Sequence, residues 1–201
     1  MQDEIFKTAM PSKSASPAGK IYQIKITLLD IVPEIWRRLL VPSSTSLAAF
    51  HYLLQTAMGW ENSHMHAFRI RGKEYGINYD GEEIFSDDAN DVFLADFHFR
   101  SGSKFYYTYD FGDSWRHGIV VEAVSPPDPE ERYPVCIGGE RACPPEDCGG
   151  AWGYLDLVRV IRNPEDPNRE DLLEWLGGEF DPSDFDPGTV NRALERSQFP
   201  A

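Results

Sequence analysis

Apolar and polar residues alternate along several short stretches of the chain, which is the pattern of strands with one buried face. Proline, glycine and acidic residues separate these stretches and indicate turns between them. The predicted strands are Ile21–Leu29, Ile35–Val41, Ser63–Arg71, Lys104–Tyr109 and Trp115–Val124, with shorter ones near Tyr75–Ile77 and at Val92–Leu94.

Apolar residues recur at helical spacing from Leu47 to Met58, between Ser46, which favours an N-cap, and Gly59, which favours a helix end. Three further helices are predicted, at Gly153–Ile161, Arg169–Leu176 and Thr189–Arg196. This order of elements predicts an α+β fold. We expect a mostly antiparallel sheet, one helix in the N-terminal half and a C-terminal group of short helices.

The sequence FGDS separates two of the predicted strands and indicates a hairpin turn, because Gly112 and Asp113 tolerate positive φ. The expected register has three cross-strand pairs: Asp110 with Trp115, Thr108 with His117, and Tyr106 with Ile119. This register places Asp110, Trp115 and His117 on one face. Asp110 and His117 are then diagonal neighbours, roughly 7–8 Å apart at Cα, within reach of a shared ligand or water.

Local composition divides the chain into a tail and one domain. Residues 1–19 lack hydrophobic periodicity and are expected to be a disordered tail. Residues 20–199 are expected to form a single domain, with a sheet core and one helix (20–124), a Pro/Gly/Cys loop (125–150) and a helical part (151–197). The run Val135–Tyr154 is rich in Gly and Pro, so a shaped loop is expected there rather than a strand or helix.

Charge and cysteine content restrict the partners and the compartment. The net charge is −14 and the basic residues form only isolated pairs in the sequence, so direct nucleic-acid binding is not expected. No run of about 18 apolar residues is present, so no membrane contact is expected. The lack of a secretory signal and the odd count of 3 cysteines predict reduced thiols and a cytoplasmic protein.

The cysteines fall as Cys136-x6-Cys143-x4-Cys148, and only the second spacing matches a zinc knuckle. The spacing favours small, buried, apolar cysteines. The alternative is a zinc ion or another divalent metal ion held by the thiolates, with His117 or an acid as the fourth ligand. No cofactor is certain from this pattern.

Two groups of polar residues are candidates for a pocket. His64 and His66 alternate on one strand face, which suits a metal site or polar pocket, although Phe68 on that face indicates a core position. The second group surrounds the predicted turn and either stabilises it or lines a pocket: Asp110, Asp113, Trp115 and His117. Glu146 and Asp147 are expected to cap the following helix, with cation coordination as the alternative.

Several long motifs resemble the plasmid pRiA4b ORF-3-like family. They are YDFGDSWRHGIVVE (109–122), CIGGERACPPEDCGGAWGY (136–154) and WLGGEFDPSDFDPGTVNRAL (175–194), together with IYQIKITLLDIVPEIWRRLLVP (21–42) and LAAFHYLLQTAMGWENSHMHAF (47–68). The resemblance spans residues 20–197 and implies a compact α+β domain without an established activity, often carried by plasmids and mobile elements. The family pattern stresses Asp110, Gly112, Asp113, Trp115 and His117 together with the cysteine loop, which implies one site. The resolvase label that some relatives carry implies a nucleophile flanked by arginines and a basic segment, and this chain has neither.

No Walker A, G-x-G-x-x-G or G-x-S-x-G motif is present in the sequence. We therefore expect a non-catalytic module that binds a protein or small-molecule ligand of basic or cationic character. Its pocket is expected between the 110–117 hairpin and the 136–150 loop, lined by Asp110, Asp113, Trp115, His117, His66 and Trp152. The first alternative is a metal-dependent hydrolase that uses His117 and nearby Cys or Asp residues, with Asp110 as base. The second is a structural metal in the cysteine loop, with the function elsewhere.

Overall fold

The computed structural model describes residues 19–78 and 84–197. The predicted disordered tail lies outside the described residues, apart from Gly19. Within them, 7 strands form one antiparallel sheet in the order β4-β3-β5-β6-β1-β2-β7. The strands are β1 Ile21–Leu28, β2 Ile35–Pro42, β3 His66–Ile70, β4 Lys73–Tyr75, β5 Lys104–Tyr109, β6 Trp115–Ser125 and β7 Val135–Glu140.

Helices accompany this sheet, and together they confirm the α+β fold. The helices are α1 Leu47–Met58, α2 Gly150–Ile161, α3 Arg169–Leu176 and α4 Pro187–Arg196, with a short 3₁₀ helix at Leu94–Phe97. Among the described residues, none of these helices is both long enough and apolar enough to cross a membrane.

The core lies between α1 and the inner face of the sheet. Alternate residues of β1 and β2 are buried, as the period of a strand requires. Phe50 of α1 stacks on Phe68 of β3, with ring centroids 5.7 Å apart, and contacts Phe105 of β5 at 6.3 Å. The fold therefore rests on burial of one continuous apolar surface.

The ends of α1 agree with the sequence prediction. Ser46 Oγ accepts a hydrogen bond from the N–H of Ala49 at 3.1 Å, which satisfies one of the free donors of the first turn. Gly59 has a φ of 95°, and its N–H donates to the carbonyl of Gln55 at 2.8 Å. A left-handed glycine of this kind commonly ends a helix because it has no Cβ to clash.

The prediction of a shaped loop over Val135–Tyr154 is wrong at both ends, because Val135–Glu140 is the edge strand β7 and α2 begins at Gly150. β7 pairs with β2, and the register shifts between Arg38 and Leu39 of β2. Gly139 is needed there since a Cβ would collide with the ring of Phe185. Glycine thus marks close packing at this edge rather than the absence of a strand.

The predicted hairpin register is also wrong, by one residue. The observed pairs are Tyr109 with Trp115, Tyr107 with His117 and Phe105 with Ile119. The turn comprises residues 110–114, and Asp110 and Ser114 both have left-handed φ values, 53° and 55°. The carbonyl of Asp110 accepts from the N–H of Ser114 within the turn at 2.6 Å, and its N–H donates to the carbonyl of Met65 at 2.9 Å, so the β5–β6 ladder ends at Tyr109 and Trp115. Asp110 is therefore not a cross-strand partner of Trp115 or a same-face neighbour of His117.

Several element boundaries also differ from the predictions. β3 begins at His66 rather than Ser63, and β4 precedes the predicted Tyr75–Ile77 strand. In place of a strand at Val92–Leu94, Phe93 forms an isolated bridge with Ser46 and the 3₁₀ helix follows. α2 and α4 begin at Gly150 and Pro187, each earlier than predicted.

Arg37 of β2 joins three elements although it is 3% exposed. Its guanidinium donates to backbone carbonyls of Ala57 at 2.9 Å, Trp36 at 2.9 Å and Glu140 at 3.2 Å. Ala57 lies in the last turn of α1, where carbonyls lack partners within the helix. The guanidinium also lies 4.4 Å from the centroid of the Phe185 ring. Arg37 therefore ties α1 and β7 to β2.

We predict that Arg37→Met lowers the free energy of unfolding by about 2–4 kcal/mol, because it leaves buried carbonyls without donors. Arg38→Met is the matched control. Arg38 lies on the outer face of the sheet and pairs with Glu122 at 2.6 Å, so its loss should cost less than about 1 kcal/mol. Urea unfolding of both variants measures the difference, and equal losses would contradict the structural role of Arg37.

Candidate functional site

The hairpin turn at 110–114 packs against the start of α2. Asp113 Oδ2 accepts a hydrogen bond from the N–H of Gly149 at 3.1 Å. Gly150 lies so close that an added Cβ would be 2.5 Å from the carbonyl oxygen of Asp113. The Gly149–Gly150 pair therefore lets the backbone approach the turn. The Asp113 carboxylate places a negative charge at the N-terminal end of α2, where the helix dipole favours it.

A groove of about 680 Å³ lies at this contact. Its lining residues come from the turn, from the start of α2 and from β6 and the β1–β2 turn: Gly112, Asp113, Ser114, Gly149–Trp152, Leu155, Arg116 and Asp30. Arg116 pairs with Asp30 at 2.6 Å across one end of the groove. Trp152 is 85% exposed. The structure thus brings Asp113 and Trp152, two of the predicted pocket residues, to one groove.

Three other predicted pocket residues lie in the core instead. Trp115, His117 and His66 are each at most 2% exposed. Trp60 covers two of them, with its ring centroid 5.8 Å from that of Trp115 and 5.4 Å from that of His117. Trp60 Nε1 donates to the carbonyl of Pro144 at 2.9 Å, which fixes the cysteine segment over these rings. They do not line an open pocket because all three lie on the buried face of the sheet, where His117 is opposite Tyr107.

The buried histidines belong to a polar network inside the core. Gln55 donates to the hydroxyl of Tyr107 at 2.9 Å, and that hydroxyl lies 2.7 Å from Nδ1 of His51. The other nitrogen of His51 lies 2.6 Å from Oδ1 of Asn62. This arrangement suits a neutral His51 that accepts from Tyr107 and donates to Asn62. His66 stacks on His51 with ring centroids 3.5 Å apart.

Burial keeps these imidazoles uncharged. It lowers the pKa of His51 to about 4, against the opposing hydrogen bond to Asn62. Burial, reinforced by the neighbouring His51, lowers the pKa of His66 to about 2. Burial also lowers the pKa of His117 to about 4, despite its contact with the Trp115 carbonyl. Within the described chain, neither nitrogen of His66 nor Nε2 of His117 has a hydrogen-bond partner.

The three cysteines lie in or against the same core, where Arg37 acts electrostatically on both Cys136 and Cys143, and Cys148 acts on Cys143. Cys136 is buried in β7, where its N–H donates to Asn191 Oδ1 at 2.7 Å, while Cys143 and Cys148 are half-buried. Burial raises the pKa of all three thiols, that of Cys148 to about 12. Over residues 19–78 and 84–197, the three sulfurs and His117 do not form a group of donors within 4.8 Å of one another. Zinc binding by this set remains a prediction.

Glu146 and Asp147 do not cap α2, contrary to the prediction, because Gly149 is the N-cap residue. Glu146 instead accepts a short hydrogen bond from the hydroxyl of Tyr109. This contact and burial raise the pKa of Tyr109, with burial the larger cause. Asp147 Oδ1 lies 3.0 Å from His64 Nε2.

Among the described residues, His64, Asp110 and Asp147 form a group of possible metal ligands, called the donor group. One ligand atom from each residue lies within 4.8 Å of the other two. His64 precedes β3, Asp110 opens the turn after β5, and Asp147 precedes α2. Their positions depend on packing between segments that are far apart in the sequence. The sequence singled out each residue separately, His64 for a metal site, Asp110 for a pocket and Asp147 for cation coordination, but gave no sign that the three meet.

A second cleft, of about 390 Å³, lies between α2 and α3. Its wall is partly apolar, with Leu157, Leu172 and Trp175, and Asp147 forms part of its rim. Asp147 is therefore common to this cleft and to the donor group.

The structure defines a compact α+β domain with a surface groove where a hairpin turn meets a helix. The chain belongs to the plasmid pRiA4b ORF-3-like protein family, whose family model matches residues 20–189. This confirms the resemblance seen in the sequence.

Two relatives cover most of the chain. The uncharacterized protein y4hQ of Sinorhizobium fredii (strain NBRC 101917 / NGR234) is 37% identical over 177 residues, which is 86% of this chain and 87% of that protein. The crystal structure of MM3350, a protein of unknown function from Methanosarcina mazei Go1, matches with a TM-score of 0.78 and 35% identity, over 87% of this chain and 98% of that one. These descriptions support the fold and supply no activity.

We predict that Gly150→Ala lowers the free energy of unfolding more than Gly149→Ala does. Both residues have left-handed φ values, 68° and 88°, so each alanine should cost about 1–2 kcal/mol in backbone strain. Only at Gly150 does the new Cβ meet the Asp113 carbonyl, which should add about 1–3 kcal/mol. Chemical denaturation measures both values, and a larger loss at Gly149 would contradict the tight contact between turn and helix.

We predict that acid weakens the fold through the buried histidines. Their folded pKa values lie below the unfolded value of about 6.5, so unfolding takes up protons below pH 6.5. Stability should be full above pH 6.5 and fall as pH drops toward 4. The free energy of unfolding should be about 2 kcal/mol or more lower at pH 5 than at pH 7.5.

Two variants test whether the buried histidines cause this pH dependence of stability. His66→Phe should flatten the pH dependence of the free energy of unfolding, since it removes one buried imidazole. His98→Gln should leave it unchanged, because His98 is exposed. A pH dependence that is the same in His66→Phe and the wild type would contradict the assignment.

Proposed function

We propose that the protein is a non-catalytic binding module, and that its ligand is a segment of a partner protein held in the groove between the turn and α2. The observation that carries the proposal is Trp152, which is 85% exposed on the wall of that groove. An indole exposed to this extent is costly in water. Tryptophan is also among the residues that most often dominate the binding energy of protein interfaces.

The groove combines this apolar anchor with an acidic side. Leu155, 40% exposed, extends the apolar surface one turn along α2 from Trp152. Asp113 supplies a carboxylate, and the basic residue of the lining, Arg116, is already paired with Asp30. The chain as a whole carries a net charge of −14. These features support a segment that presents an apolar side chain beside a Lys or Arg.

The competing hydrolase hypothesis relied on His117 as a metal ligand. Because a carbonyl can only accept, the 3.0 Å contact with Trp115 assigns the proton to Nδ1 of His117. The remaining lone pair, on Nε2, is fully buried beneath Trp60. An imidazole in this position supports a core role rather than contact with a substrate in the groove.

The proposal includes a cytoplasmic location. Its support is that all 3 cysteines of the chain carry free thiols in the structure. Reduced cysteines are typical of the cytosol.

Selection of a random peptide library displayed on phage, followed by affinity measurement of the selected peptides, tests the binding proposal. We expect the peptides to share an apolar residue next to Lys or Arg. Trp152→Ala should weaken their binding by at least about tenfold. Trp175→Ala is the matched control, because Trp175 is also exposed, at 52%, but lies outside the groove. No enrichment, or equal affinity for the wild type and Trp152→Ala, would overturn the proposal.

A further inference from the structure

We propose that His64, Asp110 and Asp147 form a binding site for one divalent transition-metal ion. This site is distinct from the cysteine set considered in the sequence and from the groove beside Trp152. Its donor atoms are Nε2 of His64, Oδ2 of Asp110 and Oδ1 of Asp147.

The separations between the donors suit a shared ion. Nε2 of His64 lies 3.0 Å from Asp147 Oδ1 and 3.7 Å from Asp110 Oδ2, and all three atoms lie within 4.8 Å of one another. Ligands bound at about 2.0–2.2 Å from one ion are themselves roughly 3–4 Å apart. An ion therefore fits after small side-chain movements.

Asp110 is the fixed part of the site. The residue is 8% exposed, and its Oδ1 accepts a hydrogen bond from the N–H of Gly112 at 2.8 Å. Its Oδ2 accepts no hydrogen bond from the part of the chain that the structure describes, and it faces His64 at 3.7 Å. Asp110 therefore has one oxygen bonded within the turn and a second oxygen that faces His64 and can bind a cation placed between them.

The charges around the site favour a cation. Two further carboxylates, Glu146 and Asp113, lie in the same contact between turn and loop, and they bond to Tyr109, Ser63 and the N–H of Gly149. Within the described residues, no Lys or Arg forms an ion pair with any of these acids. Four carboxylates thus surround one imidazole, so the local electrostatic field is negative and attracts a cation.

The donor types select the class of ion. One imidazole with two carboxylates suits Mn²⁺, Fe²⁺ or Zn²⁺, whereas Ca²⁺ and Mg²⁺ prefer sites made of oxygen atoms alone. Nε2 of His64 lies 3.0 Å from Asp147 Oδ1, and an ion bound to both atoms would replace this direct contact. The ion would link the turn after β5, the segment before β3 and the segment before α2. It would thereby strengthen the junction between the sheet and the helical part.

Titration of the chelator-treated full-length protein with MnCl₂, followed by calorimetry and electron paramagnetic resonance, tests the site. We expect one Mn²⁺ per chain and a nitrogen hyperfine coupling from the His64 imidazole. His64→Ala should abolish that coupling, and Asp110→Asn should weaken binding by at least about tenfold. Asn still accepts from Gly112 and tolerates a left-handed φ, so this variant keeps the turn.

Two matched controls separate this site from its alternatives. Asp156→Asn removes an exposed acid of α2 and should leave Mn²⁺ binding unchanged. Cys143→Ser should also leave it unchanged, whereas a loss of binding would assign the ion to the cysteines and overturn the proposal. Circular dichroism without metal establishes that each variant is folded. Absence of saturable Mn²⁺ binding by the folded wild type would also overturn the proposal.

Discussion

The contact between Asp113 and the Gly149–Gly150 pair is the constraint on which both candidate sites depend. The hairpin turn presents a backbone carbonyl where any side chain at residue 150 would have to lie, and its carboxylate accepts from the N–H of Gly149. This contact joins the sheet to the helical part of the chain. The groove beside Trp152 and the alignment of Asp147 with Asp110 both exist because the two parts meet at this point.

A second set of contacts supports the same junction from inside. Trp60 donates to Pro144, and Tyr109 donates to Glu146, so side chains of the core hold the segment that leads into α2. The histidines behind them are either hydrogen-bonded within the core or packed against aromatic rings. Their ring nitrogens therefore face the interior and not the solvent. The chemistry that faces solvent is carried by carboxylates and exposed aromatic rings at the rim.

Much of the fold follows from local pattern, whereas the errors come from long-range packing. Alternation identified β1, β2, β5 and β6, and Ser46 and Gly59 marked the ends of α1, because burial and capping act on neighbouring residues. Nothing in FGDS fixes the length of the turn. The N–H of Ser114 donates to the carbonyl of Asp110 to close the turn, and the N–H of Asp110 donates to Met65, which is 45 residues away in the numbering.

In the candidate site, too, local sequence predicts individual residues but not the contacts between residues that are far apart in the chain. The turn residues Asp110 and Asp113 stand out in the sequence because turns favour Asp and Gly, whereas the partnership of His64 with Asp147 spans 83 residues. The structure also gives these donors unequal freedom. The backbone holds Asp110 in a nearly buried position, while the side chains of His64 and Asp147 are 31% and 69% exposed. One fixed donor and two adjustable ones allow the side chains to close around an ion without disturbing the turn. The contact between Asp113 and the Gly149–Gly150 pair then fixes the position at which the side chains meet around the ion.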